Sequence, residues 1–151
     1  MSIGLQITVH GDEDIERLFA ELTQPNFDDL MEGIGALVVS QTQTRIADEK
    51  ESPTGEPWEE WSPKYAETRH GGHSLLQGDN TLLNSINHQV AGQTVEVGSH
   101  LIYAGHHQFG SDKTSGRGSG VPARPYLGIS PGNRDEIEEF VNDFISNLLY
   151  G

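Results

Sequence analysis

Ile86-Asn-His88-Gln-Val90-Ala-Gly92-Gln-Thr-Val95-Glu-Val97-Gly-Ser99 is the stretch on which the fold turns. Ile86, His88 and Val90 alternate with polar or small neighbours before Gly92, and Val95 and Val97 do so after it. That period of two is the pattern of half-buried strands joined by a tight turn, so the stretch predicts a β-hairpin. The hairpin is expected at the centre of a small antiparallel sheet. Just upstream, Thr81-Leu82-Leu83-Asn84-Ser85-Ile86 reads as a helical turn that leads into it.

Such a sheet must be covered on one face, and two amphipathic stretches can do so. Asp28 and Asp29 lead a long helix in which Phe27, Leu30, Met31, Ile34, Leu37 and Val38 keep helical spacing, continuing more weakly to Ile46. Near the other end, Ser130 is a natural N-cap and Pro131 sits early, followed by Asp135 and Glu136. Ile137, Phe140, Val141, Phe144, Ile145, Leu148 and Leu149 then predict one continuous apolar face.

Ile3, Leu5, Ile7 and Val9 alternate as a first strand. A short helix is expected from Asp12, with Glu13 and Asp14 in its first turn and Ile15, Leu18, Phe19 and Leu22 on one side. Pro25 is expected to separate it from the long helix. Pro122, Pro125, Tyr126, Leu127 and Ile129 suggest a further short strand, which the prolines would confine to an edge. Together these elements predict a single α+β domain over residues 1–151, with helices packed on a small antiparallel sheet.

Two stretches have less to bury. From Asp48 to Gly78, prolines and glycines interrupt every pattern, and Trp58 and Trp61 are the main apolar anchors. A long loop is expected there, with one short helix capped by Ser62 and opened by Pro63. Residues 110–121 are mostly glycine and serine and are expected to form a long mobile loop. Lys113, Arg117 and Arg124 face one acid, Asp112, in the 112–124 segment, a local basic patch. It reads either as a flexible linker or as a docking loop that orders on a partner.

The rest of the chain is acidic: 9 Lys and Arg stand against 23 Asp and Glu, a formal charge of -14. Its averaged field repels nucleic-acid backbones and anionic lipid, so neither is expected as a partner. The absence of cysteine removes disulfides, thiolate metal sites and cysteine nucleophiles. No stretch nears the ~18 apolar residues of a membrane helix, and the amino terminus lacks a signal-peptide pattern. A protein that remains in the producing cell is expected.

Candidate chemistry is thin. His70 and His73 with His106 and His107 could be drawn as a metal site, but the first pair lies among glycines and no H-E-x-x-H spacing is present. Glu59 and Glu60 invite a hydrolase reading, yet adjacent residues diverge where paired carboxylates must face each other. Gly116-Arg-Gly-Ser-Gly120 matches neither a P-loop nor a dinucleotide loop, and no G-x-S-x-G elbow occurs. No catalytic residue, cofactor or metal ligand is expected. His107 follows Tyr103-Ala104 by helical spacing, which suits a histidine hydrogen-bonded inside the fold.

Tyr103-Ala104-Gly105-His106-His107-Gln108-Phe109-Gly110, a variable loop, and then Val121-Pro122-Ala123-Arg124-Pro125-Tyr126-Leu127-Gly128 form an ordered pair of motifs. They resemble the signature of the phage virion morphogenesis family of Mu-like phages and prophages, which includes tail-completion proteins. Gly55-Glu56-Pro57-Trp58 and Leu82-x-x-Ser85-Ile86 resemble its upstream elements. One departure is that Gly78 is followed by Asp79-Asn80-Thr81 where the family usually has threonine-glycine before the leucine.

The resemblance implies a noncatalytic virion assembly protein acting in tail completion or head-tail joining, with a tail-terminator or connector ring subunit as the alternative. It implies other tail or neck proteins as partners, a homo-oligomeric ring as one form of assembly, and action in the host cytoplasm or in the virion. Its signature residues here are Trp58, Leu82, Ser85, Tyr103, Ala104, His107, Gln108, Phe109, Gly110, Pro122, Arg124, Pro125 and Leu127, with Lys113 and Arg117 as the candidate docking loop. Arg124 is the residue most expected to meet a carboxylate, within its own fold or across an interface. A peptidoglycan or metal-dependent hydrolase is the competing class.

Overall fold

The computed structural model describes residues 3–8, 23–69, 71–111 and 120–150. The helix expected from Asp12 to Leu22, Val9, His70, and the loop residues Lys113 and Arg117 lie outside them.

Three strands make the sheet: β1 (Ile3–Thr8), β2 (Asn87–Ala91) and β3 (Thr94–Ser99). All pairings are antiparallel, in the order β1-β3-β2. The hairpin is therefore present but not central as a unit. β3 alone is the middle strand, because β1 pairs along its whole length from Ile3 opposite Ser99 to Thr8 opposite Thr94, which leaves β2 at an edge. The register puts Leu5 and His88 opposite Val97, and Ile7 and Val90 opposite Val95. Side chains alternate across a strand, so these residues share one face, and Val95 and Val97 on it are fully buried.

That face is covered by α1 (Gln24–Thr44). Thr23 is its N-cap, with Oγ1 accepting from the Asn26 amide at 3.4 Å, and Pro25 lies in the first turn. Pro25 thus opens the long helix and does not stand outside it. First-turn amides have no intrahelical acceptor, so the missing N–H costs nothing there. Leu30, Met31, Ile34 and Val38 have no exposed surface and form the centre of the core with Ile46, Trp58, Val95, Val97 and Tyr126.

At its end α1 widens into a π-helical turn, Arg45–Glu49, closed by Lys50 in the left-handed conformation with φ 56°. Two one-turn helices follow, α2 (Pro63–Ala66) and α3 (Thr81–Ser85). Ser62 caps α2 as its sequence predicts, with Oγ accepting from the Tyr65 amide at 3.3 Å. The helix α4 (Ala104–Phe109) carries most of the first signature motif.

The closing helix α5 (Pro131–Tyr150) packs on α1. Ser130 Oγ accepts from the Asn133 amide at 3.0 Å while Asn133 Oδ1 accepts from the Ser130 amide at 3.2 Å, a reciprocal cap. Ile137, Phe140, Val141 and Phe144 pack against the core, but Leu148 and Leu149 are exposed. The apolar face is thus shorter than its spacing suggests, because the last turn extends past the core formed by the described residues.

The strand expected around Tyr126 is absent. Residues 121–130 run extended but join no sheet, because side chains take up their backbone groups. Gln108 Oε1 accepts from the amides of Tyr126 at 3.0 Å and Leu127 at 2.9 Å, and Gln108 Nε2 donates to Leu127 O at 3.2 Å. Arg45 Nη1 donates to Tyr126 O at 2.7 Å and Gly128 O at 3.3 Å, and Trp58 Nε1 donates to Pro125 O at 2.9 Å. The segment is a strap tied down by three side chains.

Candidate docking cleft

The signature motifs converge. Residues 59–65 with Arg69, residues 74–82, α4 and residues 120–124 enclose a cleft of about 990 Å³. Each wall has a local cause.

One wall is an aromatic stack built on α2. The Trp61 and Tyr65 rings meet edge to face with centroids 6.2 Å apart. The Arg69 guanidinium lies 5.7 Å from the Trp61 centroid and 5.2 Å from that of Tyr65, and Nη1 donates to Tyr65 Oη at 3.1 Å. Cation–π contact of this kind holds a flexible arginine in one place.

The facing wall is the turn before α3. Lys50 Nζ donates to Ser74 Oγ at 2.9 Å, Leu75 O at 2.6 Å and Gln77 Oε1 at 2.8 Å, so an ammonium with neutral partners pins residues 74–77. Asp79 Oδ1 accepts from the Thr81 amide at 3.0 Å, and its hydrogen bonds to Thr81 hold its carboxyl below the usual range. Asn80, left-handed with φ 64°, then opens α3. This is the geometry of the turn at which the chain departs from the family pattern.

The floor is formed by α4 and the strap. Tyr103 and His107 rings meet edge to face at 5.8 Å. Burial first, then the charges of Arg124 and His106, lower the His107 pKa, so the ring is neutral at pH 7. Its Nδ1 is buried without a hydrogen-bond partner among the described residues.

Arg124 is only 6% exposed. Its amide donates to His107 O at 2.7 Å and its Nε to Glu59 O at 2.8 Å. The carboxylate expected for it within its own fold is not there: among the described residues the ion pairs are His88–Glu32 and Arg134–Glu138. At hydrogen-bond distance the partner is the carbonyl of Glu59, while burial lowers the Arg124 pKa and the charges of Glu59 and Glu60 oppose that shift from farther off.

At the rim, the Ser111 amide donates to Val121 O at 2.9 Å and the Val121 amide to Ser111 Oγ at 3.1 Å. The two ends of the basic segment are therefore tied together where Gly120 and Val121 line the cleft.

Eleven of the thirteen residues singled out by the resemblance fall into two sets, and Gly110 and Phe109 belong to neither. Trp58, Ser85, Ala104, Gln108, Pro125 and Leu127 hold the scaffold: Ser85 Oγ shares a 2.6 Å hydrogen bond with Ser99 Oγ, and Tyr126 Oη donates to Ala104 O at 2.9 Å. Gly110, with φ 78°, makes the turn out of α4. Leu82, Tyr103, His107, Pro122 and Arg124 line the cleft, and Phe109 lies outside, 75% exposed. Sequence reasoning missed Tyr65, Arg69 and Lys50, and above all the buried Arg45. The signal for Arg45 was its helical spacing from Val38, but a charged residue on that face reads as solvated.

Of the residues of the hydrolase reading, Glu59, Glu60 and His107 line the cleft, and His70 lies outside the described residues. Glu59, Glu60 and His106 are exposed, and no group of three or more His, Asp or Glu able to hold a metal occurs among the described residues. No described helix is long and apolar enough to cross a membrane.

No solved structure matches the chain. Among known proteins it is similar to the putative capsid assembly protein G of Escherichia phage Mu, 31% identical over 123 residues that cover 77% of this chain and 78% of that protein. It is also similar to the Mu-like prophage FluMu G protein 1 of Haemophilus influenzae, 28% identical over 74% of this chain and 75% of that protein. A model of the phage virion morphogenesis family matches residues 11–146. The chain belongs to the phage virion morphogenesis family.

Proposed function

We propose that this protein is a noncatalytic assembly factor that acts in tail completion or head-tail joining, binding other tail or neck proteins through the cleft in the host cytoplasm. The observation that carries this reading is the convergence of separate signature motifs on one cleft, with the ends of the basic segment at its rim. Assembly needs a rigid frame that presents adaptable surface, and loops held between fixed ends are the usual carriers of such function. The strap supplies the frame, and Lys113 and Arg117, in the segment it holds, supply the docking charge.

Deleting the gene from the phage or prophage tests the reading. Expected are separate heads and tails, or tails of abnormal length, with particles restored by supplying the protein in trans. Normal infectious particles after deletion would overturn it.

A ring subunit, as in a tail terminator or connector, is the second form of this reading. Ile102 and Phe109, 79% and 75% exposed, favour it, since large apolar side chains left in water suit a contact between protein copies. Light scattering on the eluting purified protein separates the two: a closed oligomer supports the ring, and a monomer supports a factor that assembles only on its virion partner.

A further inference from the structure

Arg124 carries a charge that no carboxylate meets at ion-pair distance among the described residues, although Glu59 and Glu60 act on it from farther off. Taking a guanidinium out of water is unfavourable unless its N–H groups are bonded and its charge is met. Here Nε is satisfied by one carbonyl, while neither terminal nitrogen makes a hydrogen bond or ion pair among the described residues. Both nitrogens belong to a side chain that lines the cleft while being 6% exposed. On the same floor lies the buried, unpartnered Nδ1 of His107.

The geometry points to a carboxylate-binding subsite: we propose that Arg124, beside the His107 ring, receives an Asp or Glu side chain, or a terminal carboxylate, from an extended peptide segment of another virion protein. A carboxylate has two oxygens in a plane, the complement of the paired N–H groups a guanidinium presents. His107 lines the same cleft and, neutral, adds no second charge. Trp61, Tyr65 and Tyr103 line the same cleft and offer apolar surface to residues flanking the acid.

Charge also selects the ligand. Exposed Glu59, Glu60 and Asp79 stand at the cleft, and the chain carries a formal charge of -14, so a polyanion such as nucleic acid is repelled many times over, while a single carboxylate meets a weaker repulsion that pairing with Arg124 offsets. The inference rests on the docking reading above and adds the chemistry of the partner's anchor.

The test uses the full chain in cells assembling particles, with Tyr65→p-benzoylphenylalanine as a photo-cross-linking probe at the cleft wall. The expected product joins Tyr65 to a segment of another virion protein that contains Asp or Glu. A synthetic peptide of that segment should then bind the purified protein, read by tryptophan fluorescence, and replacing its acids by Asn or Gln should weaken binding at least tenfold. Neutralising the partner avoids relying on Arg124→Gln, which removes a buried side chain and can unfold the protein. A cross-linked segment without acids, or one whose neutralised peptide binds equally well, overturns the carboxylate inference while leaving the docking reading standing. A cross-link between two copies of this chain overturns the choice of partner. No cross-link at all overturns both readings.

Discussion

Arg45 shows how one residue decides the shape of the cleft from outside it. The side chain has no exposed surface, and burial lowers its pKa although Glu49 and Glu51 act in the opposite sense. Its partners are neutral: Tyr126 O, Gly128 O and Asn133 Oδ1. It therefore joins α1, the strap and the cap of α5, and its removal orphans the strap carbonyls of Tyr126 and Gly128, while Asn133 Oδ1 keeps the Ser130 amide. Arg45→Met keeps most of the volume but leaves these carbonyls unpaired, at about 1 kcal/mol or more each. Urea denaturation should show a loss of roughly 2 kcal/mol or more, and an unchanged midpoint would refute the role. His107 gives the pH signature. Its folded pKa lies below the ordinary value, so as pH falls through about 6.5 the unfolded chain binds the proton first and stability declines until the folded ring titrates as well. His107→Gln should flatten the decline between pH 7 and 5, and an identical slope in the variant would show that other groups carry it.

Among the elements, α1 and the sheet are matched by a single missing side chain. A Cβ at Gly35 would overlap the ring of His88 on edge strand β2, and His88 Nε2 in turn meets Glu32 Oε2 at 2.6 Å. Helix and strand are thus as close as a bare backbone allows at that point. Gly35→Ala raises helix propensity by about 1 kcal/mol in an exposed setting, but here the overlap costs typically 1–3 kcal/mol and displaces His88. We expect net destabilisation in thermal unfolding, and a stabilised variant would mean that the helix and β2 can separate freely. The π-helical turn at the end of α1 is the companion feature. It is followed by Lys50, whose left-handed backbone turns the chain and whose ammonium fastens residues 74–77. One irregular helix end thereby sets both the buried Arg45 and one wall of the cleft.

For the whole molecule, the dominant quantity is charge. A formal -14 on 151 residues means that the compact state repels itself, and that two copies repel each other, at low ionic strength. Raising salt from about 20 to 200 mM shortens the Debye length from roughly 20 Å to below 10 Å, so the melting temperature should rise. A fall would show that attractive pairs outweigh the net repulsion. The exposed pair Arg134–Glu138 is too solvated to reverse this expectation.

Local patterns alone were enough for the strands, the long helix, the closing helix and the caps at Ser62 and Ser130, because alternation, helical spacing and cap chemistry act between near neighbours in the chain. The order of the motifs 103–110 and 121–128 was likewise enough for the family. Tertiary structure alone decided that β1 takes the free side of β3. It also made residues 121–130 a strap and not a strand, since Gln108, Arg45 and Trp58 come to it from positions remote in sequence. The cleft belongs to this second group. Tyr65, Arg69, His107 and Arg124 share no pattern along the chain, and what unites them is the burial and the hydrogen bonds that bring their separate segments to one place.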